Sequence, residues 1–302
     1  MRRIWLASYP KSGNTWMRMM VSALALKDGE ALDINNLPDR SGIVSAREGF
    51  DNLSLIDSEL LTHDETVALR PLVHGAQTEG PGADTAERKA AVRYVKAHDA
   101  YTYLPDGTPL LAGRAGAQGA VLIVRDPRDV APSFANHNDD NVDKAIDRMA
   151  DPGDCFCGRT DRLVNQLRQR LLGWSRFNAS WLDQRDLPVL LVRYEDMIAD
   201  PAAILTQVVA FAGSAPEPDK IARAVALADF AEMTAQESTT GFWESPRRTK
   251  EGRFFRRGKA GAWRDELTAE QIARIESDHA SMMQRLGYDL SDAKMRRMGM
   301  TA

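Results

Sequence analysis

The residues whose chemistry stands out come first. Lys11-Ser12-Gly13-Asn14-Thr15-Trp16 form a short polar turn between an apolar run, 4–9, and a helical pattern that starts near Thr15. At such a strand–turn–helix junction, free backbone N–H groups and the positive end of the helix dipole converge on one point. Lys11 and the hydroxyls of Ser12 and Thr15 add charge and donors there. The chemistry is that of a phosphate or sulfate site; an ordinary βα turn with a surface lysine uses the same residues. Further on, Lys96 and His98 end a second apolar run, and the period of two in a strand points both side chains the same way. They are placed as a charge and a base, or as a surface pair. Arg125 ends a third run and Ser133 follows it by about two helical turns, which suits a second anion, unless Arg125 pairs with the nearby Asp126 or Asp129. Tyr194 closes a fourth run. The segment 236–262 carries Arg247, Arg248, Lys250, Arg253, Arg256, Arg257 and Lys259, with Gly252, Gly258 and Gly261 between them. Together these clusters imply a nucleotide with at least two separate anionic groups.

These clusters need strands that end on one edge. Runs 4–9, 92–98, 120–125 and 187–192 read as buried strands, and helical patterns separate them. The class is therefore α/β with a central, mainly parallel sheet, in which ligands bind outside the carboxyl ends of the strands. Helices are expected from Thr62 to Leu72, over 85–91, from about Val130, from Pro201 to a stop at Gly213, from Asp219 to Leu227, and from Thr268 to Leu286 with Glu270 near its cap. Leu163, Leu167, Leu171, Trp174, Phe177 and Trp181 suggest one long amphipathic helix from Arg162 to Gln184. Asn136 to Gly158 is polar and expected to be mobile, and the tail from Asp292 to fray. A single domain over 1–302 is expected, with substrate-loop excursions at about 28–60, 138–160 and 236–255.

The bulk properties narrow the class. The chain has 302 residues, 43% hydrophobic and 27% charged, with a net charge of −4. That balance gives no general attraction for nucleic acid or an anionic membrane. No apolar run approaches the ~20 residues that cross a bilayer, and Met1-Arg2-Arg3 precedes no secretory h-region. A cytoplasmic protein is expected. Cys155 and Cys157 are too close to staple a fold, and no second Cys/His pair has metal-ligand spacing, so no metal is expected. The first turn is not a Walker A motif: Lys11 precedes Gly13, no upstream glycine pairs with it, and Arg125 stands where a magnesium-binding carboxylate would follow the strand. A magnesium-dependent NTPase is disfavoured.

Several ordered stretches resemble the cytosolic-type sulfotransferases, which use 3′-phosphoadenosine 5′-phosphosulfate (PAPS). Tyr9-Pro10-Lys11-Ser12-Gly13-Asn14-Thr15-Trp16 is similar to that family's 5′-phosphosulfate loop, and Lys96-Ala97-His98 to its catalytic strand end. Val124 to Ser133 resembles its 3′-phosphate strand and helix, Arg193 to Met197 its Tyr-Glu-Asp segment, and Phe255 to Trp263 its C-terminal basic loop. The resemblance implies the family's P-loop-like fold and sulfuryl transfer from PAPS to a hydroxyl or amine. It implies His98 as general base, with Lys11 and Lys96 stabilising the leaving and transferred groups. It implies a 5′-phosphate held by Lys11, Ser12, Gly13, Asn14 and Thr15, and adenine against Trp16, Tyr194 and Phe230. A 3′-phosphate falls to Arg125, Ser133, Arg256, Arg257 and Gly258, and Phe255 also counts among the cofactor-binding residues. Asn14, Arg257 and Ala262 depart from the family's usual Thr, Lys and Asp. The family's dimer motif survives only as Arg264, Thr268-Ala269 and Ala273, so the oligomeric state is not implied. An ATP-dependent small-molecule kinase and a non-catalytic nucleotide-binding protein are the competing readings. No motif names the acceptor; a sugar, a lipid or another natural product fits the many loops.

Overall fold

The first strand is apolar on both sides because it is covered on both sides. Trp5, Ala7 and Tyr9 enter one core while Ile4 and Leu6 enter the other, all at most 2% exposed. In the computed structural model, residues 2–37, 42–76, 92–246 and 249–291 are described. The expected helix over 85–91, the basic pair Arg247 and Arg248, and the tail from Asp292 lie outside them.

The elements run in order β1 (Arg2–Ser8), α1 (Asn14–Ala23), α2 (Arg47–Ser54), α3 (His63–Ala76), β2 (Val92–Ala97), α4 (Gly113–Gly116), β3 (Gly119–Val124), α5 (Pro127–His137), α6 (Val142–Ala150), β4 (Cys155–Phe156) and β5 (Gln169–Arg170). Then follow α7 (Gly173–Asp183), β6 (Val189–Arg193), α8 (Tyr194–Ala199), α9 (Pro201–Phe211), α10 (Pro218–Leu227), α11 (Phe230–Thr240), α12 (Trp263–Glu266) and α13 (Ala269–Arg285). The main sheet has four strands in the order β2-β1-β3-β6, all parallel. β1 lies between β2 and β3, so the turns after these three strands meet at one edge. The α/β class and all four expected strands are present.

Three expectations are corrected. The long helix from Arg162 to Gln184 is only α7. Leu172 and Gly173 both adopt left-handed backbone, φ 59 and 71, which breaks any helix. A Cβ on Gly173 would meet the Met149 carbonyl at 2.6 Å, so this turn also needs the missing side chain. Trp174, Phe177 and Trp181 are fully buried as expected, but Leu163 is 55% exposed. The stretch from Asn136 to Gly158, expected to be mobile, carries α6 and β4. Asn141 caps α6 by accepting from the Lys144 N–H at 2.8 Å, and Ile146 and Met149 are fully buried. The 236–255 excursion begins inside α11, whose polar sequence has no apolar stripe. Ser238, Thr239 and Thr240 there donate to carbonyls four residues back. The described residues of 28–60 form loops with α2 and a short turn at Ser58–Leu60. The cap of α13 is Thr268, but its capping-box partner is Gln271 rather than Glu270.

No helix among the described residues is long and apolar enough to cross a membrane, and no described cluster of His, Cys, Asp and Glu could hold a metal ion. Both cysteines are free.

Behind the sheet edge, Arg70 donates to both oxygens of Asp99 at 2.9 and 2.7 Å, with both side chains at most 1% exposed. The Asp99 carbonyl also accepts from Trp181 Nε1 at 3.1 Å, so the chain directly after His98 is tied to α3 and α7. Removing one member of such a pair leaves a buried charge. Asp99→Ala is expected to destabilise the protein by about 3–5 kcal/mol. Urea unfolding of variant and parent checks this; a loss below ~1 kcal/mol would mean water reaches Arg70.

Candidate active site

The first turn is built from a glycine and an asparagine. Gly13 caps α1 with φ 104, and a Cβ there would lie 2.5 Å from the Tyr194 ring. Glycine alone lets that ring close over the turn. Asn14 Nδ2 donates to the Leu6 carbonyl at 2.7 Å and to Ser8 Oγ at 3.2 Å, pinning the start of α1 to β1. The side chain of Asn14 is thus structural, and its backbone opens the helix. Ser12 is buried, and its hydroxyl has no partner. Trp16 Nε1 donates to the Ala228 carbonyl at 2.9 Å, and its ring stands edge-on to Tyr194 at 6.1 Å. The Lys11 ammonium rests on the Phe254 ring, 3.8 Å from its centre. Burial, then Lys96, Arg125 and Arg256, push the Lys11 amine down to about 7. Like charges this close call for an anion.

Lys96 and His98 both face the same space. β2 ends at Ala97, so His98 sits just past the last ladder residue. Its Nδ1 lies 2.8 Å from the Ser8 carbonyl, which can only accept. The proton is therefore on Nδ1, and Nε2 is left with its lone pair. Burial, then the charge on Lys96, lowers the His98 ring to about 3, so it is neutral near pH 7. Its edge meets Phe156 at 6.4 Å.

Arg125 reaches across the turns rather than to its neighbours. Nη1 donates to the Lys11 carbonyl at 3.2 Å and Nη2 to the Lys259 carbonyl at 2.9 Å, and the guanidinium lies 4.3 Å over the Tyr194 ring. The neighbouring acids are occupied. Asp126 pairs with Arg128 at 2.7 Å, and Arg128 in turn with Glu276 at 2.8 Å. Asp129 accepts from the Gly261 and Trp263 N–H groups at 2.6 and 2.9 Å, fastening the basic loop to α5. Ser133 is buried one helical turn further on. Arg256 pairs with Glu266, at 3.1 Å through Nη2, and with Glu251 at 3.3 Å, whereas Arg257 is more than half exposed. Gly258 has φ 60, and a Cβ there would strike the Phe230 ring at 2.6 Å. Phe255 packs on Phe242 and Phe230 at 5.3 and 6.3 Å.

One cleft of about 1530 Å³ is walled by every expected site residue except Ser12, whose side chain lies behind the wall. Sequence reasoning missed four residues. Arg18 and Glu244 form an ion pair at 2.6 Å in the wall, and Glu244 also reaches Lys96 at 3.2 Å. His137 lines the cleft with an unpartnered Nδ1, its ring near Phe156 and Phe254. Asp129 holds the basic loop. Arg18 follows Thr15 by one helical turn and could have been placed by that period; Glu244 lies in an aperiodic segment that carries no such signal.

The buried neutral imidazole of His98 makes stability pH-dependent. Its folded value, about 3, lies below the 6.5 of the unfolded chain, so between these values the unfolded state binds more protons. That contribution is fully present above pH 6.5 and is lost as pH falls toward 3. Between pH 7.5 and 5 the group costs about 2 kcal/mol. His98→Asn is therefore expected to lose about 2 kcal/mol less than the parent over that range in urea unfolding. Equal losses would mean that the ring is hydrated.

Several known proteins are similar to this chain over most of its length. The flavonol 3-sulfotransferase of Flaveria bidentis is 24% identical over 286 residues, 90% of this chain and 79% of that protein. The luciferin sulfotransferase of Photinus pyralis is 22% identical over 296 residues, covering 90% of this chain and 69% of its own. Among solved structures, retinol dehydratase in complex with androsterone and the inactive cofactor PAP superimposes with a TM-score of 0.59 at 19% identity, over 98% of this chain and 84% of that one. A mouse sulfotransferase complexed with PAP gives 0.55 at 18% identity, over 99% and 89%. These two share the fold. The sulfotransferase domain profile matches residues 1–287, nearly the whole chain, and the chain belongs to that family.

Proposed function

We propose that the protein transfers a sulfuryl group from PAPS to a hydroxyl or amine of a small-molecule acceptor, with His98 as general base. The observation that carries this reading is His98 itself: Nδ1 is locked to the Ser8 carbonyl, Nε2 is free, and Lys11 and Lys96 stand beside it in the same cleft. The residues present suit a doubly anionic nucleotide. Arg125 Nε and Arg256 Nε are buried without partners, and four cations crowd the turns. When bound, PAPS supplies an activated sulfuryl group joined to its 5′-phosphate. Lys11 and the N–H groups of Ser12 to Thr15 hold that phosphate; Arg125, Ser133 and the loop at Phe255, Arg256, Arg257 and Gly258 hold the 3′-phosphate; Trp16, Tyr194 and Phe230 flank the base. His98 Nε2 takes the proton of the acceptor hydroxyl as that oxygen bonds to sulfur. Lys11 would neutralise the charge that the departing 5′-phosphate gains, and Lys96 would stabilise the transferred group from the same cleft. Placement and fixed charge supply the acceleration.

Labelled PAPS offered to hydroxyl and amine acceptors is the direct test. His98→Ala is expected to lower transfer by about 10²–10⁴-fold while leaving PAP affinity nearly intact. Unchanged turnover in that variant removes His98 from the reaction. Arg125→Ala is expected to weaken PAP by ~10-fold or more and AMP hardly at all. A wild-type protein that binds AMP as well as PAP would contradict the 3′-phosphate site, and one that binds ATP only with magnesium would favour a kinase.

The Lys11 amine, at about 7 when free, is charged when it meets a phosphate. Binding of PAP at pH 8 is therefore expected to take up about one proton, read by calorimetry in buffers of different ionisation heat. Undiminished uptake in Lys11→Gln would assign the proton elsewhere.

A further inference from the structure

Glu244 enters the cleft from the segment 241–246 that follows α11. Its Oε1 accepts from Arg18 Nη1 at 2.6 Å and its Oε2 from Lys96 Nζ at 3.2 Å. All three side chains are nearly closed off from solvent, 12% exposed for Glu244, 5% for Arg18 and 14% for Lys96. Three elements converge here, α1 through Arg18, β2 through Lys96, and the segment through Glu244. The segment is itself anchored. The Trp243 N–H donates to Asn35 Oδ1 at 2.9 Å, and the Phe242 ring packs on Phe254 and Phe255 at 4.9 and 5.3 Å.

A lysine side chain has long flexible torsions and, when buried among cations, a tendency to give up its proton. Lys96 is faced by Arg18 from α1, Lys11 from the first turn, His98 beyond β2 and His137 from α5; Glu244 is the carboxylate set against them. Burial is the largest influence lowering the Lys96 amine, and Glu244 opposes it; Glu244 itself is held down to about 2 by Lys96 and Arg18. The single contact to Glu244 uses one of three ammonium protons and leaves two for an incoming anion.

We propose that Glu244 is a positioning residue that keeps Lys96 charged and aimed at the transferring sulfuryl group, with Arg18 as the anchor that fixes Glu244. The role in transfer rests on the sulfotransferase reading above; the ion pair does not. Glu244→Gln keeps the shape and removes the charge, and Glu244→Asp restores the charge on a shorter arm.

The first readout needs no activity. In protein carrying ¹³C-labelled lysine, with Lys96 identified by its loss in Lys96→Arg, the Lys96 side-chain signal is titrated by NMR. Glu244→Gln is expected to move its midpoint down by at least about one pH unit, tenfold in proton affinity, and Glu244→Asp by less. An unmoved midpoint overturns the proposal. The second readout uses PAPS with 4-nitrophenol as probe acceptor. In Glu244→Gln, kcat is expected to fall ~10-fold or more at pH 7.5, the alkaline limb of its pH profile to move to lower pH, and PAP affinity by calorimetry to stay within about twofold. Unchanged kcat, or a loss carried by PAP affinity alone, overturns it. Failure of the wild type to bind PAP overturns the sulfotransferase reading instead, and the Lys96 midpoint still decides the pair. Thermal unfolding of both variants identifies a folding defect; if Glu244→Gln does not fold, Glu244→Asp decides through the same two readouts.

Discussion

Mutual repulsion among buried cations governs this protein. Lys11, Lys96, Arg125 and Arg256 converge where β1, β2 and β3 end, and the last three disfavour the charge on Lys11. The chain tolerates them by giving each a substitute for an anion: an aromatic face for Lys11, carbonyls and a ring for Arg125, carboxylates for Lys96 and Arg256. These substitutes are individually weak or exchangeable. Burial among like charges leaves the Lys11 amine lowered even so, and an anion placed beside it would relieve that repulsion.

Such a site must not collapse when empty, and a second rank of buried polar contacts prevents it. Arg70 with Asp99 fixes the chain after His98, Arg128 links Asp126 to Glu276, and Glu195 accepts from the Asp126 N–H at 3.1 Å and from the Tyr288 hydroxyl at 2.9 Å. None of these touches the cleft chemistry directly. They hold the loop ends still around the cleft, which is the condition for fixed dipoles to act on a reacting group.

The strands were legible because a parallel sheet covered on both faces leaves continuous apolar runs, as in Ala120 to Val124. The strand–turn–helix junction at Lys11 to Trp16 was legible because a left-handed cap between an apolar run and a helical pattern calls for a glycine, here Gly13. Arg125, His98 and Lys96 were placed by the same edge logic. What failed was local periodicity without local cause. Leu163, Leu167 and Leu171 imitate a helix, yet their stretch is loop and β5, and the helix starts only at the left-handed pair Leu172 and Gly173, which the close approach of the Met149 carbonyl demands. α11 was hidden for the opposite reason, a helix held by its Asp229 cap and the single buried Met233 rather than by an apolar stripe. Glu244 could not be seen at all, because its meaning depends on two residues more than 140 positions away in the chain.

The grip of Asp129 on the Gly261 and Trp263 N–H groups spans 132 and 134 residues, and that of Arg125 on the Lys259 carbonyl spans 134. During synthesis the amino-terminal turn leaves the ribosome long before the basic loop that walls the same cleft. The sheet can form from residues 2–193, but the nucleotide cleft closes only after Trp263 has emerged. Ligand-binding competence is thus among the last properties this polypeptide acquires, and a nascent chain stalled before that point would hold its cations exposed and half-paired.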